Sequence, residues 1–251
     1  MKKILAFNFK SLLINKDSRE KIYNFFLNLE SSIFRKYKII LAPNSHYFLE
    51  FKERLKEKKD ILFSSQNIFW WNKIPCTGET SPLILKDLKI NYSILGHSER
   101  KNYLKEDEKI VNLKLKACFS FKIIPIICCG ESKKSNDFQR KKIIFSQLNE
   151  IFKGINLKEE KFIIAYEPQW AIGTGVLPSV EEIKENLKMI RFWLERRFNE
   201  QKAKRTPLIY GGSVNYRNVE ALLKEKDING VLIGSSSIQS KLLEKLAKQL
   251  I

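Results

Sequence analysis

The stretch Tyr92–Cys128, YSILGHSERKNYLKEDEKIVNLKLKACFSFKIIPIIC, contains one complete unit of the architecture. Tyr92–Leu95 and Ile123–Cys128 are short and almost wholly apolar, with no alternation of polar and apolar positions. Strands read this way when both faces of their sheet are covered, as in parallel sheets. Between them, Leu104–Ser120 carries a helical pattern. A strand, a helix and a second strand of this kind make a parallel pair joined by a crossover.

Moving outward from that unit, the same alternation extends in both directions. Strand candidates upstream are Ile4–Phe9, Lys38–Ala42 and Ile61–Ser64; downstream they are Phe162–Tyr166, Leu208–Tyr210 and Gly230–Ile233. Helical patterns occupy Ser18–Glu30, Tyr47–Lys58, Phe138–Phe152, Val180–Phe198, Val219–Lys226 and Ser237–Leu250. Asn44-Ser45 precede the second of these as capping residues, and Ser179 followed by Glu182 is a capping-box pattern. Eight strand candidates with seven helical patterns between and after them, within 251 residues, fit an α/β fold of the (β/α)8 kind, eight parallel strands ringed by helices, spanning 1–251 as a single domain. Periodicity alone also admits a doubly wound open sheet.

Composition narrows the functional classes. Hydrophobic residues make up 43% of the chain, enough for a sizeable core. The apolar runs are far short of the roughly 20 residues that a membrane-spanning helix needs, so no membrane span is expected. The cysteines, at 76, 118, 128 and 129, lack metal-ligand spacing and only two histidines, His46 and His97, accompany them. They read as reduced thiols of a cytoplasmic protein, with no metal site. The net charge of +18 raises nucleic-acid binding as an alternative. The lysines are spread over nearly every helical pattern and form no dense stripe, so the charge reads as a solvated surface that helps to recruit an anionic substrate.

In parallel α/β architectures chemistry collects just after the strands. Glu167 ends an apolar strand there, where partial desolvation suits a carboxylate to accept a proton. His97 follows the fourth strand and a glycine, where an imidazole can donate to a carbonyl oxygen. Asn8 and Lys10 share one face of the first strand and bring an amide and an ammonium to the same end. Gly173, Gly175, Gly211, Gly212 and Gly234, with Ser213 and Ser235, lie in loops after the last three strands, where backbone N–H groups can surround a dianion. Each of these taken alone has a structural reading as well: a helix cap, a satisfied histidine, an edge charge, a tight turn. Pro168–Pro178 is long for a strand–helix connection and suggests a mobile lid.

Together these segments resemble the triosephosphate isomerase family over essentially the whole chain. The resemblance is carried by Asn8-Phe9-Lys10, Gln66-Asn67, Thr77-Gly78-Glu79, Ile94–Arg100, Cys129-Gly130-Glu131, Ala165–Gly175, Tyr210–Val214 and Leu232-Ile233-Gly234, all in the family's order. It implies interconversion of glyceraldehyde 3-phosphate and dihydroxyacetone phosphate without metal or organic cofactor, by a cytoplasmic homodimer that binds neither nucleic acid nor membrane. Glu167 is then the base, His97 the polarising group and Lys10, with Asn8, the partner of the developing oxyanion. Glu99 matches a buried carboxylate near that lysine. Gly173, Ser213, Gly234 and Ser235 match the phosphate-holding positions; Pro168, Trp170 and Gly175 belong to the lid; Thr77 reaches toward the neighbouring subunit. The chain departs from the family pattern at Ser235, where a second glycine is usual, at Val176-Leu177-Pro178 on the far hinge of the lid, at Phe9 and at Gln169. Other phosphosugar barrel enzymes, aldolases or epimerases, would need a Schiff-base lysine within a strand or a metal-binding His/Asp set, and neither is found.

Overall fold

In the computed structural model, residues 2–12, 15–71, 76–157, 159–172, 174, 177–234 and 240–249 are described. Eight strands close into a barrel in chain order: β1 (Lys3–Asn8), β2 (Tyr37–Ala42), β3 (Ile61–Ser65), β4 (Tyr92–Leu95), β5 (Ile124–Cys129), β6 (Ile163–Tyr166), β7 (Leu208–Tyr210) and β8 (Gly230–Ile233). Every neighbouring pair is parallel, and β1 meets β8 through Ile4 opposite Gly230 and Phe7 opposite Ile233. The open-sheet alternative is therefore excluded.

The helices are α1 (Lys16–Leu27), α2 (Ser31–Lys36), α3 (Phe48–Arg54), α4 (Pro82–Asp87), α5 (Ser98–Leu104), α6 (Glu108–Ser120), α7 (Asp137–Ile151), α8 (Val180–Arg197), α9 (Glu200–Arg205), α10 (Val219–Lys224) and α11 (Ser240–Lys248). The segment expected as one helix from Leu104 to Ser120 is instead the end of α5 followed by α6. Lys105 takes a left-handed conformation (φ 54°) that stops α5, and the Asp107 side chain then accepts from the Ile110 N–H to start α6. The Ser179–Glu182 capping box on α8 forms in both directions.

Strand residues divide between two apolar cores. Ile4, Ala6, Ile40, Ile94, Ile126, Ala165, Ile209 and Leu232 fill the barrel interior. Their neighbours, such as Leu5, Phe7, Leu41, Ile127 and Ile164, face the helices. Phe9 is fully buried between Phe26 and Phe51, with ring centroids 6.3 Å and 5.3 Å away. The position after β1 thus keeps an aromatic anchor, which fixes the turn that presents Lys10. Cys118, Cys128 and Cys129 are buried free thiols and Cys76 is exposed. Among the described residues no helix is long and apolar enough to cross a membrane, and no group of three or more metal-ligating side chains forms.

Candidate active site

Three side chains from three strand ends meet at the C-terminal mouth of the barrel. Glu167 follows β6 directly. Its chain is held by the Glu167 N–H donating to the Cys129 carbonyl at 2.7 Å, and the next strand is fixed in the same way by Gly211 N–H to Tyr166 O at 2.8 Å. The residue is 2% exposed. One carboxylate oxygen, Oε2, accepts the Ser98 backbone N–H at 3.3 Å. The other, Oε1, is buried and has no hydrogen-bond partner among the described residues. A buried, unpaired carboxylate oxygen is costly to hold, and a reacting group is the kind of partner that would offset it.

Two glycines make room for Glu167. A Cβ on Gly211 would lie 2.8 Å from the Glu167 Cγ, and one on Gly130 would lie 2.0 Å from the Glu167 carbonyl oxygen. Gly130, at φ 159°, allows β5 and β6 to end at close quarters, and Gly211 leaves the volume that the carboxylate side chain occupies.

His97 sits at the N-cap of α5, 7% exposed. Its Nδ1 accepts the Glu99 N–H at 3.2 Å. A ring nitrogen that accepts carries no proton, so the imidazole proton resides on Nε2. Nε2 faces Glu167 Oε1 at 3.6 Å. That is too long for a direct hydrogen bond and sets the two groups side by side at the barrel mouth. The 3.6 Å approach of Nδ1 to Glu99 Oε2 is, by the same tautomer, a contact of two acceptors and not an ion pair.

Lys10 completes the set from β1. Its backbone is left-handed, φ 51°, a conformation that costs a side-chain-bearing residue on the order of 1–2 kcal/mol. Both sides of the strained residue are clamped: its N–H donates to Asn8 Oδ1 at 3.0 Å, and its carbonyl accepts from Gln66 Nε2 at 2.9 Å. The ammonium pairs with Glu99 Oε1 at 2.5 Å. Glu99, expected to be buried, keeps a side chain that is 40% exposed, in the first turn of α5. Lys10 also reaches the phosphate-loop candidates: a Cβ on Gly234 would lie 3.6 Å from its Nζ.

Around this centre, Ser213 donates its hydroxyl to the Ala171 carbonyl and so ties the loop after β7 to the segment after β6. Trp170 donates its indole N–H to Glu131 Oε1 at 2.8 Å. Glu131 is fully buried and also accepts the Tyr166 hydroxyl at 3.1 Å, with Arg140 Nε 3.7 Å away. The Cys128 thiol adjoins Glu167; burial first, and the carboxylate second, push its pKa well above the usual thiol value, so it stays protonated. Thr77 is exposed on the segment after β3. Gly173, Gly175 and Ser235 lie outside the described residues. Sequence reasoning did not assign roles to the Ser98 N–H, Gln66 or Glu131. Gln66 and Glu131 stand within stretches that carried the resemblance, whereas a backbone donor leaves no mark in residue type.

A closed barrel of eight parallel strands with a carboxylate, an imidazole and an ammonium gathered where the strands end defines a (β/α)8-barrel enzyme built for acid–base chemistry on an anionic substrate. The family model described as Triosephosphate isomerase matches residues 3–250. Similar curated proteins carry the same name. One from Dictyoglomus turgidum is 35% identical over 240 residues, covering 95% of each chain. Another from Finegoldia magna is 38% identical over 190 residues, 74% of this chain and 76% of the relative. The chain belongs to the triosephosphate isomerase family, and as a member it is an aldose–ketose isomerase.

Proposed function

We propose that Glu167, His97 and Lys10 interconvert D-glyceraldehyde 3-phosphate and dihydroxyacetone phosphate at the C-terminal mouth of the barrel. The supporting observation is the buried, unpartnered Glu167 Oε1 facing a protonated His97 Nε2 across 3.6 Å. Glu167 removes a proton from the carbon beside the carbonyl. The electron pair moves onto the carbonyl oxygen, giving an enediolate whose charge His97 Nε2–H and the Lys10 ammonium stabilise. The hydroxyl proton transfers between the two oxygens, and Glu167 returns its proton to the neighbouring carbon. A glutamate base beside a neutral imidazole is the family's standard mechanism.

Asn8 and Glu99 position Lys10. Ser213 and Gly234, with Gly173 and Ser235, hold the phosphate. Pro168–Gly175, including Trp170, closes over it, so that the enediolate is kept from water. We assign the whole of 1–251 to one catalytic domain acting in the cytoplasm as a homodimer. Leu12, Trp71, Leu83 and Tyr103 support the dimer: they are 49–80% exposed and come from the segments that follow β1, β3 and β4, the same region as Thr77. A coupled assay on purified protein tests the assignment. Turnover is expected in both directions, and His97→Gln should lower kcat by about 10²- to 10⁴-fold. No turnover by the parent, or full turnover by the variant, overturns it.

A further inference from the structure

The barrel has a second opening at the end opposite the isomerase site. There the first residues of the strands border a cavity of about 500 Å³. Its size falls within the roughly 300–1,000 Å³ typical of small-ligand sites, and no residue of the isomerase centre lines it.

The floor is apolar. Ile4, Tyr92, Ile124 and Ile163 belong to the lowest layer of the barrel interior, and Phe162 flanks them. The rim is mixed in charge but mainly basic, with Lys38, Lys161, Lys202 and Arg205 against Glu159 and Glu160. Lys202 is committed to the fold: its ammonium donates to the Glu160 carbonyl and lies 5.6 Å from the Phe162 ring centroid. Lys38, Lys161 and Arg205 are exposed, and their side chains make no hydrogen bond or ion pair among the described residues.

A second observation points into the same cavity. Tyr92 is 5% exposed and lines the floor, yet its hydroxyl has no hydrogen-bond partner among the described residues. The hydroxyl is not among the buried unpaired polar atoms, so it opens onto the cavity and is free to donate there. Burial raises its pKa, so the group remains a donor at neutral pH. An apolar floor with one idle donor, beneath three uncommitted cations, is complementary to a compact molecule with a flat apolar body and a single anionic head.

We propose that this N-terminal cavity is a binding site for a small aromatic anion, such as an aryl carboxylate, sulfonate or phosphate ester. The ring lies on Ile4, Ile124, Ile163 and Phe162, the Tyr92 hydroxyl donates to it, and Arg205, Lys38 and Lys161 neutralise the head group. The site is separate from the triose phosphate site, so the two ligands do not compete for the same groups.

Anilinonaphthalene sulfonate, an aromatic anion whose emission rises in apolar surroundings, is a direct probe on the intact chain. Saturable binding to the folded protein is expected, weakened by added salt. Arg205→Glu should raise its Kd about fivefold or more, since an exposed cation becomes a like charge beside the head group. Tyr92→Phe should raise it by a smaller factor while keeping the ring. Both variants should retain the parent's isomerase activity and Tm, because neither residue touches that site and Arg205 is exposed. Glycerol phosphate at saturating concentration should leave the probe bound. An unchanged Kd in Arg205→Glu, or full displacement of the probe by glycerol phosphate, overturns the proposal.

Discussion

Replacing Gly211 by alanine tests whether the position of Glu167 sets the rate. The glycine's backbone lies outside the left-handed region, so alanine meets no conformational objection there. Its methyl group does meet Glu167: the new Cβ would stand 2.8 Å from Cγ and 3.3 Å from Oε1. Ordinary contact begins near 3.4 Å, so the glutamate has to retreat by about 0.6 Å. Such a shift also strains the bond from the Ser98 N–H to Oε2, already 3.3 Å long. Misplacing a reacting group by about 1 Å costs about 10²-fold in rate. Gly211→Ala should therefore lower kcat by about 10- to 100-fold. Added bulk of this size costs roughly 1–3 kcal/mol of stability, a fall in Tm of about 2–12 °C for a chain of this length, so the variant stays folded at 25 °C. Gly154→Ala is the control. Gly154 has φ 68° and open space around its Cβ, so that variant should lose about 1 kcal/mol of stability and keep its kcat. Steady-state kinetics and thermal melts on both variants decide the matter. A Gly211→Ala enzyme with kcat within about twofold of the parent would refute the reasoning that one glycine holds the base in place.

Two further outcomes follow from buried networks. Glu106 is 4% exposed and bridges Lys114 and Arg100 at 2.5 Å and 2.6 Å. Burial alone would raise its pKa, but Lys114 and then Arg100 outweigh burial and hold it below 4.5. A carboxylate depressed on folding contributes stability that is complete above pH 4.5 and is lost as pH falls through the lower folded-state value. Glu106→Gln should thus lower Tm by about 6–20 °C at neutral pH, since it strands the buried Lys114, with the difference from the parent shrinking in acid. A constant difference across the acid range would contradict the linkage. Trp170→Phe removes the indole donor from Glu131 while keeping an aromatic ring, and loses a charge-assisted bond worth about 1.5–3 kcal/mol to that lid position. We expect kcat/KM to fall several-fold and Tm to fall by about 3–12 °C, and unchanged kinetics would dismiss the indole as a lid anchor.

Much of the barrel was legible because its signals are local. The bounds of β4, β7 and β8 agree with the apolar runs to the residue, since glycine and polar residues abruptly end each run. Helix α6 was misplaced at its start because the break depends on Lys105 adopting a left-handed conformation, to which lysine has no special propensity. Of the four six-residue helices, α10 was read from the sequence, whereas α2, α4 and α9 went unread, each too short to establish a periodicity of its own. At the site, the residue types at the strand ends announced acid–base chemistry. The left-handed turn at Lys10, the Ser98 N–H on Glu167 and the volume cleared by Gly211 depend on backbone paths that meet only on closure of the barrel. The opposite cavity is likewise made by the convergence of five strand starts, and no segment of sequence contains it.

Turnover of Glu167→Gln in the coupled assay bears most directly on the claim that this carboxylate carries the substrate proton. Glutamine preserves the length and packing of the side chain at a site that is 2% exposed, but it does not accept a carbon-bound proton. The expected result is a kcat lower by about 10²- to 10⁴-fold in a protein that melts as a single folded species. A variant turning over at the parental rate would contradict the mechanism and return Glu167 to a purely structural role.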